Sequence, residues 1–384
     1  MTLQNSQCYT THIMIDNRIT KLAKNLVNFS VGAKKGDKVL IEANGIDTPS
    51  ITELVKEIYA VGAMPFVEIY DSKIQRALYN GLTEPHAEAM AKYASVRMDE
   101  MQCYIGIRGG KNSFETSDVA SDKMDIYSRL YAHPVHHSRR VAKTRWVVLR
   151  YPNESMAQLA SSSTEAFEDY YFKVCNLDYS KMEKAMDGLI KLFNKTDKVR
   201  IKAKDTDLTF SIKGIGSKKC AGHMNIPDGE AYSAPVKNSI NGTIAFNCPS
   251  INQGTKFENI VLTFKDGKII KATANDTDKL NKILDTDEGS RYTGEFALGV
   301  NPFITKPIGD ILFDEKIAGS IHIAVGSSYD DANNGNNSAI HWDLVQIHTP
   351  EYGGGEIYFD NKLIRKDGMF VVPELLALNP ENLK

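Results

Sequence analysis

Strand-like and helix-like segments alternate along the first 150 residues, and this alternation limits the possible folds more than any other feature of the chain. Short apolar runs predict strands at Lys38–Ala43, Met64–Tyr70, Cys103–Ile107 and Trp146–Arg150. Thr48–Ser50 opens a segment between the first two whose apolar residues recur at helical spacing. Strands joined through helices need crossover connections, so the pattern predicts a largely parallel sheet with helices on its faces.

The pattern changes near residue 195. A helical stretch over about 154–194 ends there, and short strands separated by Gly, Asp and Asn follow. Turn residues such as Asp266–Gly267 predict hairpins and therefore antiparallel pairing. The sequence thus predicts an α/β protein of two domains. Residues 1–197 would form an N-terminal α/β domain with a largely parallel sheet, and residues 198–384 a C-terminal α+β, strand-rich domain.

The overall composition argues against several classes of protein. The 384-residue chain has 46 Lys and Arg against 48 Asp and Glu, a formal net charge of −2, which argues against a nucleic-acid partner. The apolar runs are too short to span a membrane, and the polar N-terminus lacks a signal-peptide core. Five scattered cysteines, Cys8 among them, are typical of free thiols in a reducing compartment. We therefore expect a cytoplasmic protein without a membrane partner.

Five side chains that can bind metal ions fall in or beside apolar strands of the second domain: Glu230, Glu295, His322, His341 and Asp343. Taken singly, a Glu at a strand end is usually solvated, and a His between isoleucines is more often a core residue. His341 and Asp343 stand two residues apart and so share one face of a strand, where burying both without a cation would be costly. Together the five suit one or two divalent ions such as zinc, cobalt or manganese.

Two other polar clusters are predicted to carry no chemistry. His136 and His137 lie beside two arginines in a helical stretch and read as a solvated helix face. The run Asn333–Asn337 reads as a mobile loop. Neither a G-x-S-x-G elbow nor a helical H-E-x-x-H motif occurs in the sequence, so the common serine-hydrolase and zinc-protease signatures are absent.

Longer runs surround the five side chains, at Pro227–Pro235, Gly294–Glu295, Phe313–Tyr329 and Asn337–Asp343. In order and spacing, from about residue 225 to 370, they resemble the aminopeptidase T / AmpS / PepS family of metallo-aminopeptidases. Agreement at Lys35–Val39 and within 151–158 extends the resemblance to nearly the whole chain.

The resemblance implies that all five side chains bind two divalent ions, which would be zinc, cobalt, manganese or magnesium. A hydroxide bridging the ions would attack the scissile carbonyl, and Glu295 or Glu230 would carry the proton to the leaving amine. Tyr329 falls on the family's active-site tyrosine and would donate a hydrogen bond to the developing oxyanion.

The resemblance also implies the substrates and the assembly. The enzyme would release N-terminal amino acids from short peptides and would act as a homodimer. One segment departs from the family, because Asp330–Asn334 stands where the family often has Pro-Glu-Thr and glycines. The preferred N-terminal residue is therefore not implied.

Two alternatives remain at this point. Ring-cleaving dihydroxypyridine dioxygenases resemble this fold and hold one iron with two histidines and one carboxylate, a set that His322, His341 and Asp343 could supply. Such a site would not need Glu230 and Glu295, so their presence favours the two-ion hydrolase. A non-catalytic binding protein of the same fold would be expected to lose ligands, whereas this chain keeps all five.

Overall fold

The computed structural model describes residues 16–112, 114–252 and 254–384, so Cys8 lies outside the described residues. The first half of the chain builds a five-stranded parallel sheet. From edge to edge, its strands are Met64–Tyr70, Lys38–Asn44, Cys103–Arg108, Arg145–Arg150 and Asn225–Ile226. The four predicted strands are confirmed, each end within one residue. The four described cysteines are free thiols.

Helices cover both faces of the parallel sheet. On one face Leu54 and Ile58 pack in the main core with Ile41, and on the other Ala94 and Met98 pack with Leu40. Alternate residues of one strand therefore supply both cores. The helices of this half are Asn17–Lys24, Thr48–Ala60, Ser72–Asn80, Glu84–Glu100, Ser121–Tyr127, Glu154–Leu159, Thr164–Cys175 and Tyr179–Phe193. Wider π-helical turns extend two of these helices over Asn25–Ser30 and Ser128–Val141.

The second half is built mainly from antiparallel strands. Its large sheet has eight strands, in the order Lys268–Thr273, Val261–Lys265, Asn241–Ala245, Thr206–Ser211, Lys198–Ala203, Gly355–Phe359, Lys362–Lys366 and Met369–Phe370. The hairpin predicted at Asp266–Gly267 is confirmed, with both residues at positive φ. A separate two-stranded ribbon pairs Ser250–Asn252 with Thr255–Phe257.

A second antiparallel sheet of five strands, here called the buried sheet, lies inside this half. Its strands are His341–Ile347, Ser320–Gly326, Thr293–Gly299, Glu230–Ser233 and Lys218–Cys220. Every residue of Thr293–Gly299 and Ser320–Gly326 is buried. Three helices and several short 3₁₀ turns complete the fold; the helices are Thr277–Leu284, Ile311–Asp314 and Pro380–Leu383.

The two halves share structure across the predicted boundary at 197/198. Asn225–Ile226 completes the parallel sheet of the first half by pairing with Val148–Leu149. The main hydrophobic core is also continuous, from Leu22 to Leu383. The fold class is confirmed as mixed α/β, with a parallel sheet followed by strand-rich antiparallel sheets, while the division into domains stays a prediction. None of the helices in the described ranges combines the length and apolar character needed to cross a bilayer.

The prediction of a solvated face at His136 and His137 is wrong for His136. Its ring lies edge-on to the rings of Tyr104 and Tyr131, with centroids 6.4 and 5.9 Å away. Burial and the charges of Arg140 and Arg108 lower the pKa of His136 to about 4. The sequence pattern could not show that the ring of His136 is covered, because Tyr104 comes from the strand Cys103–Arg108 and Tyr131 from an earlier turn of the same helical segment.

His136 is expected to make the protein less stable in acid. Its pKa is depressed on folding, so the unfolded chain binds the extra proton between about pH 6.5 and 4, and stability falls as pH drops through that window. We expect His136→Phe to reduce the loss of unfolding free energy between pH 7 and 4.5 by about 2 kcal/mol. Urea unfolding at the two pH values measures this. An equal loss in His136→Phe and wild type would contradict it, and exposed His86→Phe is the control.

Candidate metal site

All five predicted metal-binding side chains lie on one face of the buried sheet. Residues directly opposite each other in antiparallel strands share a face, and the register pairs Glu295 with Ala324 and Ala324 with Asp343. His341 faces Gly326 across the same pair of strands, and Glu230 faces Gly299. Strand positions far apart in sequence thus converge because the register brings them together.

Small residues lie directly opposite four of the five candidate ligands. Ala324 lies between Glu295 and Asp343, and glycines lie opposite Glu230 and His341. A Cβ atom on Gly299 would come within 2.5 Å of the Ile317 carbonyl oxygen and the Ser320 Oγ. A larger residue at Gly299, opposite Glu230, would therefore not fit at this point of the sheet.

The five side chains form two sets of three that share Glu295. His322 Nε2 lies 3.4 Å from Glu295 Oε1 and 3.6 Å from Glu230 Oε2. His341 Nε2 lies 3.2 Å from the other oxygen of Glu295, Oε2, and 3.4 Å from Asp343 Oδ1. In each set the ligand atoms lie within 4.8 Å of one another, close enough to hold one metal ion.

Backbone carbonyls orient both imidazole rings. His322 Nδ1 lies 3.2 Å from the carbonyl oxygen of Glu315, and His341 Nδ1 lies 2.8 Å from that of Ser327. A carbonyl only accepts, so each Nδ1 carries the hydrogen. Each Nε2 is then directed at the carboxylates with a lone pair available, which is the usual arrangement of a metal-binding histidine.

The site has more negative than positive groups. Whether it suits a cation can be judged from its unpartnered polar atoms and from the pKa values of its histidines. Glu230 Oε2, His341 Nε2 and Asp343 Oδ1 are buried without a hydrogen-bond partner among the described residues. Burial opposes protonation of His322, but the contact with Glu295 and the charge of Glu230 outweigh it and raise its pKa to about 10. Contacts with Asp343 and Glu295 likewise raise the pKa of His341, against burial, to about 11. The raised pKa values mean that the carboxylates favour a positive charge at both imidazole rings, and a bound metal cation would supply that charge in place of the protons.

Sequence reasoning missed a buried lysine next to the cluster. Lys316 is fully buried, contacts the carboxylate of Glu315, and lies 3.8 Å from Glu230 Oε1. Although burial opposes its charge, the carboxylates of Glu230 and Glu315 raise the pKa of Lys316 above its usual value. The available signal was three consecutive charged residues, Asp314 to Lys316, a few residues before the buried strand that begins at Ser320.

Asp228 adds a further buried carboxylate but is committed to the backbone. It accepts hydrogen bonds from the N–H groups of Gly222 and Gly229, at 2.6 and 3.0 Å. Asp228, Glu230 and Cys220 are also close enough to form a third potential set of metal ligands. Burial raises the pKa of the Cys220 thiol, however, so it stays protonated and is a poor ligand.

Tyr329 lies at the mouth of the cluster. Its ring centroid is 4.6 Å from that of His341 and 5.6 Å from that of Tyr232, and the side chain is nearly half exposed. Burial and the charges of Glu295 and Asp343 raise the pKa of Tyr329, so its hydroxyl remains a hydrogen-bond donor at neutral pH. The Tyr232 hydroxyl donates to Asp331, which Lys218 also pairs with.

The asparagine-rich run beside Tyr329 is tied down rather than free. The Asn334 side chain donates to the carbonyl oxygens of Pro235 and Thr293, at 2.7 and 2.8 Å. Asn336 is fully buried and donates to the carbonyl oxygens of Gly289 and Gly326. The asparagine-rich composition predicted a mobile loop. Composition does not reveal that these side-chain amides donate hydrogen bonds to backbone carbonyl oxygens, which holds the run in place.

Residues 15–368 match the model of the thermophilic metalloprotease family, M29. The aminopeptidase PepS of Streptococcus thermophilus is 25% identical over 348 residues, which cover 81% of this chain and 84% of PepS. The aminopeptidase AmpS of Bacillus subtilis (strain 168) is 35% identical over 144 residues. That second match spans only about a third of each protein, 33% of this chain and 34% of AmpS.

Two solved structures share the fold over most of the chain. Wild-type AmpT from Thermus thermophilus has a TM-score of 0.76 at 20% identity, covering 94% of this chain and 100% of that chain. The 2,5-dihydroxypyridine dioxygenase from Pseudomonas putida KT2440 has a TM-score of 0.61 at 11% identity, covering 93% and 98%. At these identities the likeness shows the fold alone.

The family model that spans most of the chain places this protein among the metal-dependent peptidases. The chain belongs to the thermophilic metalloprotease family, M29, since the family match covers most of its length. The resemblance to aminopeptidase T, AmpS and PepS that the sequence motifs predicted is thereby confirmed.

Proposed function

We propose that this protein is a metallo-aminopeptidase that releases N-terminal amino acids from short peptides at a site of two divalent ions. The observation that carries the proposal is the position of Glu295, whose two carboxylate oxygens each approach a different histidine. One ion would be held by Glu230, Glu295 and His322, and the other by Glu295, His341 and Asp343. The ions would be zinc, cobalt, manganese or magnesium.

The charge of the buried groups supports two ions. The cluster and its neighbours contain five carboxylates, on Asp228, Glu230, Glu295, Glu315 and Asp343, and one ammonium group, on Lys316. Four further positive charges would neutralise them, which is the charge of two divalent ions. Burial of unpaired carboxylates is costly, and burial accordingly raises the pKa of Glu230, Glu315 and Asp228.

The chain's own side chains supply the remaining chemistry. When bound, the ions would polarise the scissile carbonyl and make a water molecule a better nucleophile at neutral pH. Glu295 or Glu230 would move a proton from that water to the leaving amine. The Tyr329 hydroxyl, protonated beside His341, would donate to the oxyanion that develops on the substrate carbonyl.

The family supports a class of substrates. The printed names of AmpS and PepS are those of aminopeptidases, and their similarity supports peptides as substrates here. Carboxylates near a metal would bind the free α-amine of a peptide, which restricts cleavage to the first residue. We also propose a cytoplasmic homodimer.

One observation favours a second candidate, a ring-cleaving dioxygenase with a single iron. The 2,5-dihydroxypyridine dioxygenase shares the fold over 93% of this chain. His322, His341 and Asp343 would supply the two-histidine, one-carboxylate set that such iron sites use. Glu230 and Glu295 would then be buried carboxylates without a role, so the two-ion peptidase is the better account.

Removal and replacement of the metal tests the proposal. We expect protein stripped with a chelator to lose hydrolysis of amino-acid amides and dipeptides, and to regain it after addition of cobalt, zinc, manganese or magnesium. Elemental analysis of the active protein should give two ions per chain. One iron per chain, with oxygen uptake on a hydroxypyridine and no peptide release, would establish the dioxygenase instead.

A further inference from the structure

A cavity of about 640 Å³, a size typical of small-molecule sites, opens where the first half of the chain meets the second. It lies at the carboxyl end of the parallel strand Arg145–Arg150, the end of such a sheet at which α/β proteins bind ligands. Its other walls come from the helix Glu154–Leu159, the ribbon strand Ser250–Asn252 and the turn Ile311–Asp314. Neither the five candidate metal ligands nor Tyr329 line it, so it is separate from the candidate metal site.

Asp314 is a buried carboxylate in the wall of this cavity without a positive partner. Only 3% of the residue is exposed, and its oxygens accept hydrogen bonds from the N–H groups of Ile308 and Gly309, at 2.7 and 2.9 Å. Burial raises the pKa of Asp314 to about 7 against these two hydrogen bonds, and the charges of Asp310 and Glu315 add to the effect. No lysine, arginine or histidine in the described part of the chain offsets it. A cationic group in the cavity would supply the missing charge.

Arg150 places a half-exposed guanidinium group on the same cavity. Its Nε lies 3.3 Å from Asp310 Oδ2, but its two terminal –NH₂ groups have no partner among the described residues. Such groups bind a carboxylate through two parallel hydrogen bonds. Asp310 and Asp314 stand at the two ends of one short helical turn. The free donors of Arg150 and the buried carboxylate of Asp314 are therefore separated by a distance on the order of one helical pitch, about 5 Å.

Apolar side chains form much of the remaining lining. Leu159, Ile251 and Ile311 are 45%, 46% and 40% exposed, and the buried Met156 joins them. The three exposed residues come from three separate segments of the chain, which the fold brings to one cavity. Exposed apolar residues gathered in a concave site are typical of a surface that binds an apolar group.

We propose that this cavity binds a small zwitterion with an apolar body, namely an apolar α-amino acid or a dipeptide of such residues. Its ammonium group would pair with Asp314, and its carboxylate would accept hydrogen bonds from the terminal donors of Arg150. Its side chain would contact Leu159, Ile251 and Ile311. The two charged groups and the apolar lining of the cavity would then each have a partner.

Other classes of ligand fit these groups less well. The carboxylates of Asp310 and Asp314 would repel an inorganic anion, and the guanidinium of Arg150 would repel a metal ion. A purely apolar ligand would exclude water from Asp314 and leave its charge unpaired, which is costly. A ligand that carries both an ammonium and a carboxylate group avoids all three costs.

Binding at this cavity does not depend on peptidase activity, because none of its groups belongs to the candidate metal site. Only one link rests on the function proposed above: an apolar amino acid would be of the same class as the products of the reaction. Asp314 immediately precedes Glu315 and Lys316, whose side chains lie beside Glu230. A product bound at Asp314 would therefore contact the segment that supplies the buried ammonium group of the cluster.

Calorimetric titration of the full-length, metal-loaded protein with L-leucine tests the site. We expect saturable binding that Arg150→Gln weakens about tenfold or more, because the charge-assisted contact with the carboxylate is lost. Arg200→Gln is the matched control: this side chain is also 46% exposed and pairs with an aspartate, but it does not line the cavity. Glu295→Gln, which alters the metal site, should still bind leucine, so the two proposals can fail separately. Unchanged circular dichroism would show that the variants are folded.

Analogues of leucine test the class of ligand. Isoamylamine lacks the carboxylate and isocaproate lacks the ammonium group, while both keep the apolar body, so each should bind about tenfold more weakly than leucine or worse. Leu-Leu, titrated into Glu295→Gln to avoid hydrolysis, distinguishes the two members of the class, since the tighter binder identifies the ligand. Equal binding of leucine and either analogue would overturn the zwitterion site. So would leucine binding that is absent from the wild type, unchanged in Arg150→Gln or lost in Glu295→Gln.

Discussion

Replacing Glu295 by Gln is expected to lower kcat/KM for release of an N-terminal residue about a thousandfold. The two oxygens of Glu295 approach His341 at 3.2 Å and His322 at 3.4 Å, so this one carboxylate belongs to both sets of ligands. Gln has the same size, but its –NH₂ group is a donor that cannot bind an ion and carries no negative charge. Steady-state kinetics, together with the metal content per chain, measures the effect.

Measuring the metal content per chain distinguishes a loss of activity caused by loss of a metal ligand from one caused by another change in the site. Glu295→Gln should bind fewer than two ions per chain. Tyr329→Phe is the matched variant, because its ring packs on His341 but the tyrosine belongs to neither set of ligands. It should keep the wild-type metal content and lose turnover. Two ions and full activity in Glu295→Gln would show that the site works without this carboxylate.

Lys316→Met is expected to destabilise the metal-loaded protein by about 3–5 kcal/mol. Lys316 is fully buried, and its ammonium group is the only one that faces the carboxylates of Glu230 and Glu315 within the described part of the chain. Methionine has a similar volume, so the packing is kept while two buried carboxylates lose a counter-charge. Denaturant unfolding of wild type and variant under the same metal concentration gives the difference.

Lys218→Met is the control for the loss of a lysine. Lys218 pairs with Asp331 at 2.9 Å, but the ammonium end is on the surface, so the expected loss is below about 1 kcal/mol. Equal losses in the two variants would mean that burial of Lys316 does not matter. A loss confined to Lys316→Met would assign the effect to the buried cluster.

Much of the fold could be predicted from local patterns. The strands at 38–44, 64–70, 103–108 and 145–150 and the helix Thr48–Ala60 lie where hydrophobic spacing and turn residues predicted them. These signals depend on neighbours along the chain, which the sequence shows directly. The short strand Asn225–Ile226 carries no such signal. Its position depends on pairing with the strand Arg145–Arg150, which is distant in the sequence.

The candidate ligands were predictable as residue types in apolar strands, but their arrangement was not. His341 and Asp343 could be placed on one face by the two-residue repeat of a strand. That Glu295 lies between two histidines depends on the register of three strands, including an irregularity between Thr293 and Glu295. Register across strands is a long-range property that strand patterning alone leaves open.

The sequence by itself determined the residue chemistry of this protein: a parallel-sheet half, a strand-rich half, and histidines and carboxylates in apolar strands that suit divalent ions. These follow from side-chain type and short-range spacing. The tertiary structure alone decided that Glu295 joins two sets of ligands, that Lys316 is the cation inside the cluster, and that Arg150 and Asp314 line one cavity. Each of these depends on strand order and burial, which arise only when distant segments pack together.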